Sequence, residues 1–275
     1  MATIILLFGL MAQIVTPGET ACLGFISDAT LPLSVFIAGV EGEGSTSAFM
    51  ASGNLLVYLN GPGVPGLKAG TMYRVVRPQG KVLAPDREDP IGIYYKELGT
   101  VRIETEGKES ATAIVQVGCQ PMIEGDILLP WVARPPVRFN GKLSDRLTPY
   151  PETGTRSSIV LGKDDLRELV AGHFCFIRAG SRNQVQIGDR FTIYRQQPPY
   201  NPQDLTVEGT GVDASYDKTI GAQHRSAVDE KLRTRSLPHR AIGDLVVIDV
   251  AEKTAVCKII NSMEEVHIGD TVVKR

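Results

Sequence analysis

Two stretches decide the fold: Gly53–Arg77, GNLLVYLNGPGVPGLKAGTMYRVVR, and Ala171–Arg195, AGHFCFIRAGSRNQVQIGDRFTIYR. They align without a gap, 118 residues apart, and their apolar, glycine and arginine positions coincide. The matching pairs are Val57/Cys175, Tyr58/Phe176, Leu59/Ile177, Leu67/Val185, Gly70/Gly188, Tyr73/Phe191, Val75/Ile193 and Arg77/Arg195. Self-similarity at a fixed spacing indicates two copies of one structural unit.

A second pair of blocks extends the repeat. Gly99–Pro130 aligns with Gly243–Lys274 at a spacing of 144 residues, with Gly125/Gly269 and Asp126/Asp270 among the coinciding pairs. The spacing grows by 26 residues between the first and second blocks. The second copy therefore carries a 26-residue insertion between its two blocks.

Both copies have the pattern of short strands. The runs are rich in Val, Ile and Tyr and end at Gly, Asn or Pro, as strands do. They are 55–59, 73–76, 100–103, 111–115 and 127–129 in the first copy, and 174–177, 191–194, 245–250, 255–260 and 271–273 in the second. Helix is expected only in fragments, with Lys163–Leu169 the best candidate. Five or six short strands within about 80 residues are typical of a small barrel or sandwich.

We therefore predict an all-β protein of two related small β-barrel or sandwich repeats in tandem. The expected division is a signal peptide at 1–21, repeat 1 at 22–130, a Pro-rich linker or wrapping loop at 131–157 and repeat 2 at 158–275. Repeat 2 contains a polar insertion at about 196–240. Connections of this length with few apolar residues lie at the surface.

Composition narrows the class of protein. With 43% apolar residues, the chain can bury its own core and is not disordered as a whole. Gly and Pro supply 28 and 17 of the 275 residues, which favours turns over long helices. The formal charge of −2 gives no overall field that would hold nucleic acid, so no nucleic-acid partner is expected.

The amino terminus has the length of a secretory signal. Met1–Ala12 is an uninterrupted apolar run, too short to cross a bilayer as a helix. We predict cleavage after Ala12 or Ala21; the alternative is that the run forms a buried strand or helix of the fold. Lipid modification of Cys22 is disfavoured, because the residue three places before it is Glu19.

Four cysteines in an exported chain suggest two disulfides, for which three connectivities exist. Read through the repeat, the preferred pairing is Cys22–Cys119 in the first copy and Cys175–Cys257 in the second. The alternative for the second pair is two buried free thiols. No cysteine or histidine spacing resembles a metal site, and we expect neither metal nor cofactor.

A Gly-Asp pair recurs beside the strands. We predict that the glycine adopts a positive φ and that the aspartate accepts from nearby backbone N–H groups, so that the pair forms a structural turn. The pairs are Gly125-Asp126, Gly188-Asp189, Gly243-Asp244 and Gly269-Asp270.

Catalytic motifs are absent from the sequence. There is no Gly-x-Ser-x-Gly elbow, and the loop Gly61–Lys68 lacks the Gly-Lys-Ser/Thr ending of a phosphate loop. We therefore predict no catalytic residue.

Positive charge is concentrated in the insertion. The basic cluster consists of Arg225, Lys231, Arg233, Arg235 and Arg240. These residues indicate either a solvated loop or contacts to an anionic partner such as a wall polymer or a lipid headgroup. A nucleic-acid site is not favoured, because no aromatic side chains are interleaved with them for base stacking.

Several short sequence segments resemble segments of known envelope proteins. They are Val57–Asn60, Leu98–Val101, Ser110–Val115, Gly188–Arg195 and Ile268–Asp270. The pattern resembles the β-rich carboxy-terminal regions of LysM-associated envelope proteins and of the flagellar assembly protein T family. This resemblance implies a periplasmic or surface-associated module without catalytic residues.

The expected function is an exported, non-catalytic binding or assembly module of a Gram-negative-type cell envelope. Its partner would be an envelope protein or a cell-wall polymer, with peripheral membrane association open. One alternative is a structural subunit of a larger surface or membrane-associated complex. The other is a hydrolase whose Asp, Glu and His residues are dispersed in the sequence.

Overall fold

The protein forms two closed β-barrels, each of six antiparallel strands. A computed structural model describes residues 15–41, 55–85, 87–139, 141–196 and 237–275. The prediction of an all-β fold with two tandem small barrels is confirmed. Within the described part of the chain, no helix is both long and apolar enough to cross a membrane.

The strands of barrel 1 are β2 (Phe36–Val40), β3 (Leu56–Asn60), β4 (Met72–Ala84), β5 (Arg87–Thr105), β6 (Ser110–Gly118) and β7 (Ile127–Pro130). The barrel closes in the order β5-β4-β7-β2-β3-β6, and β6 pairs back onto β5. A short helix α1 (Pro17–Thr20) and strand β1 (Phe25–Ser27) precede it, and β1 pairs with β5 outside the barrel. Alternate residues such as Val57 and Leu59 point into the core, while Tyr58 points outward.

The strands of barrel 2 are β8 (Arg156–Gly162), β10 (Phe174–Ile177), β11 (Arg190–Gln196), β12 (His239–Val250), β13 (Ala255–Ser262) and β15 (Thr271–Lys274). The barrel closes in the order β10-β13-β12-β11-β15-β8. Two short strands, β9 (Glu168–Leu169) and β14 (Val266–His267), pair with each other beside the barrel. Nine of the ten runs predicted from the sequence lie within strands of the two barrels, and the tenth, 55–59, begins one residue before β3.

The sixth strand of each barrel, β2 and β8, extends the repeat beyond the aligned blocks. In barrel 1, Ile37 donates to the carbonyl of Asp126 at 2.9 Å and accepts from Gly125 N–H at 2.8 Å. In barrel 2, Ile159 makes the same two bonds, to Asp270 at 3.0 Å and from Gly269 at 2.8 Å. The two copies therefore match at the level of individual backbone hydrogen bonds.

One ion pair also repeats. Arg77 binds Asp126 through Nε and Nη2 at 2.7 and 2.8 Å, and Arg195 binds Asp270 through the same atoms at 2.8 and 2.6 Å. A bidentate guanidinium–carboxylate pair fixes geometry as well as charge. In barrel 1 the ion pair joins β4 to the turn before β7, and in barrel 2 it joins β11 to the turn before β15.

Strands β4 and β5 continue beyond barrel 1 as a two-stranded arm, residues 77–85 and 87–96, which packs on the outer face of barrel 2. Val82 and Tyr94 of the arm share an apolar cluster with Phe176 and Ile248 of barrel 2. The rings of Tyr94 and Phe176 meet edge to face, with centroids 5.2 Å apart. The two barrels are thus joined by a core of their own, here called the inter-barrel core.

Two further segments complete the inter-barrel core. Val15 and Leu23 come from the amino-terminal segment, and Val137 comes from the predicted linker; all three are buried. Ser144, also in that linker, is buried against barrel 2 through bonds to Asp244. The Pro-rich segment therefore wraps along the protein rather than separating the two barrels.

Candidate binding groove

A groove of about 590 Å³ lies where the amino-terminal segment and the start of the Pro-rich segment cross the wall of barrel 1. Its apolar lining includes Val15, Ala21, Met72, Val117, Trp131 and Val132. A concave, mainly apolar surface of this size is typical of a binding site.

Three adjacent apolar side chains of the lining are open to solvent. Val117, Trp131 and Val132 are 36%, 45% and 70% exposed, and Trp131 is the single tryptophan of the chain. Their exposure follows from the end of β7 at Pro130: the Trp131 N–H makes a last bond to the carbonyl of Met72 at 3.2 Å, after which the chain leaves the barrel. Contiguous exposed apolar groups mark interaction surfaces more often than isolated ones do.

The amino-terminal wall of the groove is held in place by three interactions. The Cys22–Cys119 disulfide ties it to barrel 1, and Glu19 accepts from Nζ of Lys258 in barrel 2 at 2.7 Å. Thr16 and Glu19 form a capping box at the start of α1. Burial opposes the charge of Glu19, but the bonds from Lys258 and Thr16 outweigh it and lower the pKa of this carboxyl.

An ion-pair cluster around Glu97 holds the other side of the groove. Glu97 is 1% exposed and accepts from Nη2 of Arg134 at 2.7 Å and from Nη1 of Arg74 at 2.9 Å. It also accepts from the backbone N–H groups of Leu23 and Gly24, at 3.1 and 3.2 Å. Burial alone would raise the pKa of Glu97, but the two guanidinium groups hold it below its usual value.

Arg134 joins this cluster to barrel 2. Its Nε lies 2.7 Å from the Asp249 carboxylate, and Nη1 donates to the carbonyl of Thr20. Burial works against its charge, but Glu97 and Asp249 outweigh that effect and raise the pKa of Arg134. One side chain therefore links the Pro-rich segment, the amino-terminal segment and both barrels.

The described lining of the groove offers contact area rather than acid–base chemistry. Arg134 is its one ionisable side chain, and its charge is already engaged by Glu97 and Asp249. This groove was not predicted from the sequence, because its walls come from three segments far apart in the chain. The signal that could have indicated it is the lone Trp131 between a strand end and the Pro135-Pro136 pair.

One of the two predicted disulfides is present in the structure. Cys22 and Cys119 form the expected disulfide, with Cα atoms 5.9 Å apart. The second predicted disulfide is wrong: Cys175 and Cys257 are buried free thiols. They lie directly opposite each other on β10 and β13, where Cβ atoms are about 4.5–5.5 Å apart, beyond the roughly 3.8 Å of a disulfide. Burial raises the pKa of Cys175 to about 12, so it is packed as an apolar group.

Three of the four Gly-Asp pairs share one turn geometry. Gly125, Gly188 and Gly269 have φ values of 89°, 89° and 97°. The aspartate that follows each accepts from the N–H three residues before it at 2.7 Å, and a strand begins immediately afterwards. These aspartates are Asp126, Asp189 and Asp270.

The turn predicted at Gly243-Asp244 is wrong, because both residues lie inside β12. Asp244 is fully buried and accepts from N–H and Oγ of Ser144, each at 2.6 Å, and from Nδ2 of Asn261 at 3.4 Å. It anchors the Pro-rich segment to barrel 2. The resemblance of Ile242-Gly243-Asp244 to the turn phrases is local in sequence only.

Most of the predicted basic cluster falls outside the described residues, namely Arg225, Lys231, Arg233 and Arg235. Arg240 lies in β12 and pairs with Glu264 at 2.5 Å. The described part of the predicted signal peptide, residues 15–21, belongs to the fold; residues 1–14 lie outside the description.

Comparison with known proteins gives no family. Neither a protein-family model nor a curated protein matches the chain.

Proposed function

We propose that the chain is an exported, non-catalytic binding and assembly module of the bacterial cell envelope, and that the groove holds an apolar segment of a partner protein. The observation that carries the proposal is the exposed triplet Val117, Trp131 and Val132 on the groove. Aromatic and aliphatic anchors in a recess supply most of the energy of such contacts.

The chemistry of the lining favours a protein segment over a wall polymer. A sugar chain needs several free hydrogen-bonding side chains, whereas the charge of Arg134 is already engaged and the exposed surface is mainly apolar. The groove also continues an existing apolar contact, because Val15 both lines it and belongs to the inter-barrel core. An apolar partner segment would extend that core.

The Cys22–Cys119 disulfide supports export, because disulfides form and persist in oxidising compartments. The contacts of the amino-terminal segment bear on where the signal peptide would be cleaved. Cleavage after Ala21 would remove Val15, which is 1% exposed, and Glu19 with its bond to Lys258. Cleavage after Ala12 leaves both in place. We therefore favour Ala12 as the last residue of the signal peptide.

Site-specific photocrosslinking tests the groove. A benzophenone amino acid is placed at Val132 in the full chain, and envelope fractions are irradiated and analysed by mass spectrometry. The matched control places it at Leu147, which is 91% exposed in the same Pro-rich segment but does not line the groove. We expect a crosslink to one envelope protein from position 132, mapping to an apolar stretch, and none to that protein from position 147.

The Val132→Asp variant completes the test. It should abolish crosslinking from a probe at Val117, whereas Leu147→Asp should leave it unchanged. Equal crosslinking from positions 132 and 147 would overturn the proposal. Co-sedimentation with purified peptidoglycan that Val132→Asp abolishes would replace the protein partner with a wall polymer. A mature mass that begins at Met1 would contradict export, and one that begins at Gln13 would support it.

A further inference from the structure

Three side chains with metal-binding groups meet on the small sheet beside barrel 2. They are Glu168 on β9, His267 on β14, and Glu265, which precedes β14. One ligand atom of each lies within 4.8 Å of the others, and Nε2 of His267 is 3.9 Å from Oε2 of Glu265. The cluster is far from the groove in sequence, and it shares no residue with the groove lining.

The strand pairing brings the three groups to one face. Glu265 and His267 flank Val266, so their side chains point to the same side of the chain. Glu168 lies directly opposite His267 in the register, just as Leu169 lies opposite Val266. Leu169 and Val266 are 0% exposed and belong to the core of barrel 2, so the opposite, solvent-facing side carries the three ligands.

The Arg195–Asp270 ion pair, which repeats Arg77–Asp126 of barrel 1, holds the backbone of Glu265 and His267. Nη2 of Arg195 donates to the carbonyl of Glu265 at 2.8 Å, and the N–H of His267 donates to Oδ2 of Asp270 at 2.7 Å. Arg195 and Asp270 neutralise each other, and the nearby Arg240 is paired with Glu264. The charges of Arg195 and Arg240 are thus already matched.

Barrel 1 shows that the fold does not require these side chains. The same ion pair there holds Pro121 and Ile123, with Nη2 of Arg77 donating to the Pro121 carbonyl at 2.9 Å and the Ile123 N–H donating to Asp126 at 2.7 Å. The backbone of the turn is equivalent, but the side chains cannot bind a metal. The two ligands on this turn are an addition of the second copy to a shared scaffold.

We propose that Glu168, Glu265 and His267 bind a divalent transition-metal cation of the Zn²⁺ type, with water completing the coordination. Imidazole and carboxylate groups are ligands for Zn²⁺, and three protein ligands plus water form an open tetrahedral site. Bonds of about 2.0–2.1 Å place ligand atoms about 3.3 Å apart. The exposed side chains reach that spacing by rotamer changes, with no movement of the two strands.

Calorimetric titration of the tag-free full chain with ZnCl₂ tests the site. We expect one site per chain, weakened at least about tenfold by Glu168→Gln and by His267→Gln. The matched control is Glu124→Gln, which removes an exposed carboxylate from the equivalent turn of barrel 1 and should leave the affinity unchanged. The remaining histidines are retained in every variant, so they contribute the same background.

Thermal unfolding gives a readout that separates folding from binding. Without metal, His267→Gln should unfold at the temperature of the wild type, because His267 is 46% exposed at its side chain. Added Zn²⁺ should raise the unfolding temperature of the wild type and of Glu124→Gln only, since a ligand that binds the folded state stabilises it. Binding that survives both Glu168→Gln and His267→Gln, or no binding by the wild type, would overturn the proposal.

Discussion

Replacing Glu97 by Gln should destabilise the protein strongly, because it removes the charge on which Arg74 and Arg134 converge. Glu97 is 1% exposed, and the side chains of Arg74 and Arg134 are 26% and 11% exposed. Removing one partner of a buried ion pair costs about 3–5 kcal/mol. Arg134 keeps its bond to Asp249, so we expect the lower end of this range, about 3 kcal/mol.

Lowering the pH should remove the same contribution of Glu97 to the free energy of unfolding. The pKa of Glu97 is lower in the folded protein than its ordinary value of 4.5, so its stabilising effect is complete above that pH and is lost as the pH falls through the folded-state pKa. The wild type should therefore approach the stability of Glu97→Gln on acidification. Urea unfolding at pH 7 and at successively lower pH, followed by circular dichroism, measures the difference between the two.

The matched control is Glu104→Gln on the same strand. Glu104 pairs with Arg102 at 2.8 Å, but these side chains are 34% and 46% exposed, and an exposed pair contributes less than about 1 kcal/mol. We expect Glu104→Gln to unfold close to the wild type at every pH. If Glu97→Gln loses no more stability than Glu104→Gln, the ion-pair cluster around Glu97 does not hold the two barrels together.

Two further changes test the frame of barrel 1. The double variant Cys22→Ser, Cys119→Ser removes a disulfide that closes a loop of 97 residues, and it should lower the free energy of unfolding by up to about 4.7 kcal/mol. Urea unfolding of the wild type with and without reductant checks this, and an unfolding curve that reductant leaves unchanged would contradict it. Gly99→Ala should cost more than about 1 kcal/mol, because Gly99 has a φ of 148° and a Cβ there would lie 2.0 Å from a backbone oxygen of β6. Gly80→Ala is its control, since a Cβ at Gly80 meets nothing within 4 Å; thermal unfolding that fails to separate the two would refute the argument.

The repeat predicted most of the fold because each aligned block contains whole strands. It missed β2 and β8, which precede the aligned blocks. The helix expected at Lys163–Leu169 is wrong: Lys163–Asp165 is a single 3₁₀ turn, and β9 follows at Glu168. Asp164 and Asp165 have φ values of 58° and 61°, outside the helical region, and Asp164 binds Lys96 of the arm at 2.7 Å. A contact with the other barrel thus overrides the local helical pattern.

The groove was beyond prediction for a different reason. Its lining combines Val15, Val117 and Trp131, which come from three separate segments of the chain. The periodicity of apolar residues within one segment cannot predict that these segments lie side by side in the fold. The disulfide was predictable, because the repeat assigned Cys22 and Cys119 to one copy. The prediction placed Cys175 and Cys257 on two strands of the second copy, and these strands, β10 and β13, do pair; it could not resolve the Cβ spacing that decides whether the two cysteines bond.

The outer faces of the two barrels explain why a duplicated fold stays asymmetric. Phe176 and Ile248 of barrel 2 are 0% exposed beneath the arm, whereas the equivalent residues of barrel 1 are Tyr58, 44% exposed, and Glu104. An apolar face that was present on both barrels would let the arm of one molecule pack on barrel 1 of another. Tyr58 and Glu104 make this face of barrel 1 more polar than the matching face of barrel 2, which the arm of the same chain covers. Divergence of the two copies on this face therefore favours packing of the arm on barrel 2 of its own chain over packing on barrel 1 of another molecule.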